Sequence, residues 1–106
     1  SRRVNDEKSS KPAMLEFLGR VRGAPLATTA LEPPTVFYID RQDLEFCGSP
    51  EAARSFLDAH PDGFVIREND RGVPLPGCLA NVPLSARWSS PSKRQGWVLL
   101  GPGAGG

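Results

Sequence analysis

Two charged tetrads, Asp40-Arg41-Gln42-Asp43 and Glu68-Asn69-Asp70-Arg71, hold the residue types in this 106-residue chain that acid–base or ligand-gripping chemistry would use. Each follows an apolar run, "TVFYI" at 35–39 and "FVIR" at 64–67. In open α/β sheets ligands gather beyond the carboxyl ends of the strands, so both tetrads fall where a site would form. The candidate binding residues are therefore Asp40, Arg41, Asp70 and Arg71, with Asp40 or Asp70 placed to act as a general base. The same residues have a plain structural reading: exposed loops are charged because water solvates them, and alternating signs let neighbours pair. No nucleophile accompanies these carboxylates, so the sequence assigns no catalytic residue.

His60 is the one imidazole in the chain, the side-chain type most suited to a base at neutral pH. It stands at the end of a helical pattern, where an imidazole commonly satisfies a last-turn carbonyl. Cys47 and Cys78 belong to no C-x-x-C pair, and with His60 they make at most three ligands where a structural zinc site wants four. No metal and no cofactor is expected. The two thiols read as free and half-buried; a disulfide between them is the alternative in an oxidising compartment. There is no G-x-S-x-G, G-x-G-x-x-G or G-x-x-x-x-G-K-[ST] motif, and the terminal GPGAGG has no following helix with which to cradle a phosphate. Trp88 and Trp97 are expected to pack across the terminal strands, with a sugar-stacking platform as the sharper option.

The elements that must position these groups follow from periodicity. Ser10 as N-cap, Pro12 in the first turn, and Met14, Phe17, Leu18 and Val21 at helical spacing predict an amphipathic helix ending at Gly23, with Arg20 and Arg22 in its last turn. "PLATTAL" is a weakly apolar strand or extended lead. Pro33-Pro34 bars a helix from entering "TVFYI", which is continuously apolar and β-branched, as a strand covered on both faces would be. Ser49, Pro50 and Glu51 open a second helix whose Ala53, Phe56, Leu57 and His60 recur at helical spacing, and Pro61-Asp62-Gly63 stops it.

Strand, helix and strand from 35 to 67 have the length of a βαβ unit, which would set 35–39 and 64–67 side by side and parallel. Asp40 to Cys47 then reads as a crossover loop. The Pro74, Pro76, Gly77 stretch holds at most a turn of helix near 78–80. Val82, Leu84, Ala86 and Trp88 alternate with polar residues, and Pro83 confines that strand to an edge or a strand start. "GWVLL" at 96–100 is a last apolar strand, joined by "SSPSKRQ" in an antiparallel return. The expected fold is α/β: a small mixed sheet of four to five strands, parallel at its centre and antiparallel toward its C-terminal edge, with two main helices.

Bulk composition fits one domain over 11–101. Apolar residues make up 39% and charged residues 24%, an ordinary globular balance. A net charge of +1 supplies no basic field, so nucleic acid is not an expected partner. No apolar run approaches the roughly 18 residues of a membrane span, so the segment itself reads as soluble. Residues 1–10, with one apolar side chain, and 102–106, with no anchoring side chain, are expected as disordered tails, the first a tether or juxtamembrane linker.

The order of pieces "LATTALEPPTVFYIDRQDLEFCGSPEAARSFL", "GFVIREN", a proline-rich connection and "GWVLLG" resembles the C-terminal soluble region of membrane glycosyltransferases of the dolichyl-phosphate-mannose protein mannosyltransferase type, including the lipid A aminoarabinose transferases. The matching positions are Phe37 and Tyr38, residues 51–57, Val65 and Ile66, and residues 97–100. The resemblance implies that the catalytic acids and the lipid-linked sugar site lie in a membrane-embedded N-terminal portion, so no catalytic residue carries over. It implies a non-catalytic accessory domain on the extracytoplasmic, periplasmic face of a membrane. Its partner would be the membrane-embedded portion of the same chain, with a lipid-linked sugar or acceptor bound elsewhere in the parent. SRRVNDEKSS would be the stub after a membrane helix, although Arg2 and Arg3 beside a span favour the cytoplasmic side. Two other readings stand beside it: a stand-alone α/β binding or protein-interaction module using the Pro83 edge strand or the arginine-rich rim, and a small enzyme acting through His60 or a loop carboxylate.

Overall fold

The computed structural model describes residues 11–30 and 43–102. Helix α1, Lys11–Val21, buries Met14, Phe17, Leu18 and Val21, the four residues whose spacing predicts it. Its end differs in detail. Arg22, not Gly23, takes the left-handed conformation, at φ 46°, and its N–H donates to the Leu18 carbonyl at 3.0 Å, closing the last turn. Arg20 pairs with Glu16 one turn back, at 3.1 Å, rather than with the helix end. Ser10 lies outside the described residues.

Five strands follow: β1 Leu26–Thr28, β2 Glu45–Phe46, β3 Phe64–Glu68, β4 Leu84–Ser89 and β5 Gly96–Leu100, in the order β2-β1-β3-β5-β4. Pairing of β2 with β1 and of β1 with β3 is parallel, whereas β5 runs antiparallel to β3 and to β4. This is the expected mixed α/β sheet with a parallel centre and an antiparallel C-terminal edge.

One expected pairing is replaced. The run at 35–39 lies outside the described residues, and both neighbours of β3 are other strands. On the parallel side, Leu26, Ala27 and Thr28 stand opposite Phe64, Val65 and Ile66. "LAT" is short and only weakly apolar, yet all three residues are buried, and Ala27 shares a cluster with Ala53 and Phe56. Its small side chain suits a strand that lies beneath a helix. A second revision concerns the crossover loop, whose end contains β2. There the Cys47 N–H donates to the Thr28 carbonyl at 2.8 Å, while Glu45 and Phe46 remain exposed at the sheet edge.

Helix α2, Pro50–Ala59, begins as expected: the Ser49 hydroxyl accepts from the Ala52 N–H at 3.1 Å, Pro50 fills the first turn, and Glu51 lies near the positive end of the dipole. At its other end the His60 backbone, not its imidazole, makes the cap, donating to Phe56 O at 2.9 Å. The imidazole instead lies against the Phe56 ring, centroids 4.5 Å apart.

The two helices cover opposite sheet faces. On one, α1 packs with Leu26, Phe64, Ile66, Trp97 and Leu99; on the other, Ala53 and Phe56 of α2 pack with Ala27, Val65, Leu79, Val98 and Leu100. Strand alternation assigns the faces, since paired residues of neighbouring strands point the same way. A short 3-10 turn, Gly77–Leu79, fills out the α2 layer with buried Leu79. After β5 the chain is still held at Gly101. The Gly101 N–H donates to Pro83 O at 2.9 Å, so backbone does what no side chain could.

Candidate functional site

Asp40 and Arg41 lie outside the described residues, so the site is built from the other tetrad. Asp70 and Arg71 follow β3 directly, in a turn closed by Val73 N–H donating to Asp70 O at 3.1 Å, with Gly72 at φ 84°. Three hydrogen bonds tie the turn to the β4–β5 loop and the start of β5. Asn69 N–H donates to Gly96 O at 2.8 Å, Arg71 N–H to Arg94 O at 2.7 Å, and the Arg71 guanidinium to Ser90 O at 3.2 Å. Arg71 thus has a structural role that its charge alone did not reveal.

These tethers enclose a recess of about 60 Å³ lined by residues of the turn, including Asn69, Asp70 and Arg71, and by Arg87 and Val98 of the sheet. Gly96 is required beside it: a Cβ there would meet Asn69 O at 2.7 Å and Trp88 O at 3.1 Å, so the loop and the edge strand can close only on glycine. Trp88 and Trp97 also line the recess and stand opposite one another in the β4–β5 ladder, packing into the α1 face as the spacing predicts.

Two arginines beside this turn were missed as site candidates. Register places Arg67 of β3 and Arg87 of β4 on either side of Val98, all three on the α2 face of the sheet. The Nε of Arg67 is buried and makes no hydrogen bond, and burial holds its guanidinium below the usual arginine value, with Cys78 acting in the opposite sense. The nearest acid in the strand, Glu68, points to the other face and accepts from Gln95 Nε2 at 3.2 Å. The available signal was Arg67 itself, a charge closing an otherwise apolar "FVIR" run. Arg87 read as one more residue on a wet face and is exposed there; that it stands beside Val98 is set by cross-strand register, which the alternation of its own strand does not carry.

The remaining candidates are apart from this turn. His60 packs on Phe56, at the far end of β3 from Asp70. Near it a shallow groove of about 240 Å³ runs between α2 and the 81–83 segment, and its charged pair, Arg54 and Asp58, is self-satisfied at 3.1 Å, with Arg54 also donating to Cys78 O. Cys47 and Cys78 are both free. Burial, aided by Glu45, pushes the Cys47 thiol up, which favours the thiol over the nucleophilic thiolate. Among the described residues no group of three or more His, Cys, Asp or Glu could hold a metal ion. No helix among them is long and apolar enough to cross a membrane.

The arrangement sets Arg71, Arg87, Asn69 and Asp70 around a small recess, and among the described residues no nucleophile and base are in contact there. Comparison of the chain with protein-family models, with curated proteins and with solved structures returned no match.

Proposed function

We propose that this chain is a non-catalytic accessory domain of a membrane-bound glycosyltransferase that uses a lipid-linked, mannosyl-type sugar, set on the extracytoplasmic (periplasmic) face. What supports the reading is how the resembling pieces pack. Residues 51–57 lie in α2, Val65 and Ile66 are consecutive in β3, and residues 97–100 belong to β5, which pairs with β3. Pieces that are contiguous in space form a structural unit, and such a unit can serve a larger protein without supplying its chemistry. The polar contacts of the described loops are likewise of a structural kind, Arg71 to Ser90 O and Arg54 to Cys78 O among them. Its partner in this reading is the membrane-embedded portion of the same chain, where the lipid-linked sugar and the acceptor would bind.

The test is to read the coding sequence upstream of Ser1. Several apolar stretches of about 20 residues are expected there; their absence would sink the proposal. A second reading, a stand-alone interaction module, rests on β4, an edge strand with Leu84 43% exposed. An initiation codon immediately before this segment would favour it.

A further inference from the structure

We propose that the recess beneath the 69–73 turn is an oxyanion site for a phosphate group, with Arg71 and Arg87 as its cationic walls. The site goes beyond the accessory-domain reading and does not depend on it. Two arginines converge on the recess, Arg71 from the turn and Arg87 from the edge strand β4. Arg71 and Arg87 line the recess, while Arg67 shares with Arg87 the cross-strand neighbour Val98. Against them stands one lining carboxylate, Asp70.

Among the described residues the Arg87 side chain has no hydrogen bond or ion pair, and Arg71 uses one of its five side-chain N–H donors on Ser90 O. The Nε of Arg67 is buried without a partner. Burying an unmatched cationic donor is costly, and such groups are normally paired or coordinated. Arg67 does not itself line the recess, but most donors of Arg71 and all those of Arg87, which do, are also left unmatched by the protein, so an anion bound there would supply what is missing. Arginine forks fit tetrahedral phosphate oxygens by paired, charge-assisted hydrogen bonds, and the three backbone and side-chain tethers already hold the turn in place. Two sources carry this chemistry, free phosphate and the phosphodiester of a lipid headgroup.

The experiment titrates the 106-residue chain with inorganic phosphate at constant ionic strength, following tryptophan fluorescence, since Trp88 and Trp97 line the recess. A parallel arm uses phosphatidylcholine vesicles with and without phosphatidylglycerol. A saturable response is expected, weakened about tenfold by Arg87→Ala, as loss of one charge-assisted contact implies. Lys93→Ala, removing an exposed cation outside the recess, is expected to bind as the parent chain does. Arg87 makes no side-chain bond, so its variant is expected to fold, and a far-ultraviolet circular dichroism spectrum checks this. Saturation with free phosphate assigns the site to the soluble ion; saturation only with phosphatidylglycerol vesicles, lost in Arg87→Ala, assigns it to a headgroup. Saturation in neither arm overturns the proposal. So does a response that Arg87→Ala leaves unchanged, or that Lys93→Ala weakens equally, because either would mean diffuse surface charge.

Discussion

The two faces of the sheet answer the same problem differently. On the α1 face, Met14, Phe17, Leu26, Ile66 and Leu99 close a cluster in which these residues are almost wholly buried. On the α2 face, Ala53, Phe56 and Leu79 cover Val65 and Leu100, but the far end of the same strands carries Arg67 and Arg87 around Val98. A face that is apolar throughout can only pack. A face that ends in unpaired cations sacrifices part of its packing and gains a place where something else can bind, as stabilised folds commonly do at functional positions.

The sharpest way to break this contrast is Phe17→Ala. Phe17 is 1% exposed at the centre of the α1 cluster, so truncation is expected to cost about 3–5 kcal/mol in urea denaturation. A loss below about 1 kcal/mol would mean that the α1 face is no tighter than the other. Next comes Gly101→Ala at the end of β5, where φ is +152° and a Cβ would stand 2.6 Å from the Phe64 ring and 2.7 Å from Gly63 O. About 2–3 kcal/mol of destabilisation is expected, because backbone oxygen cannot retreat as a side-chain tip can.

On the α2 face the sign should reverse. Arg67→Met keeps much of the side-chain volume while removing a buried donor without a partner, and is expected to raise stability by about 1 kcal/mol in phosphate-free buffer. A destabilised Met variant would show that the guanidinium has a protein partner after all. The smallest effect is a pH dependence. Because Cys47 has a raised folded-state pKa, its stabilising contribution is complete below the ordinary thiol pKa and is lost as pH rises through the folded value. The urea midpoint should therefore fall more steeply in alkaline solution for the parent chain than for Cys47→Ala.

Most of what builds the α1 face was legible in the residues. Met14, Phe17, Leu18 and Val21 repeat at helical spacing, and the Ser49-Pro50-Glu51 signal states where α2 begins, because both patterns are consequences of local backbone geometry. The candidate site was half legible: Asp70 and Arg71 fall at a strand's carboxyl end, but the tethers of Arg71 to Ser90 and Arg94 join residues about twenty positions apart along the chain. Spacing says nothing of such bonds.

By itself the sequence determined the two helices, the apolar strands β3 and β5 and the mixed α/β character, since each depends on patterns that a few consecutive residues carry. Only the tertiary structure decided that "LAT" stands beside "FVIR", that Gly101 is held by Pro83, and that Arg67 and Arg87 meet across Val98. Strand partners and register are settled by competition among whole surfaces for burial, and that competition has no local signature.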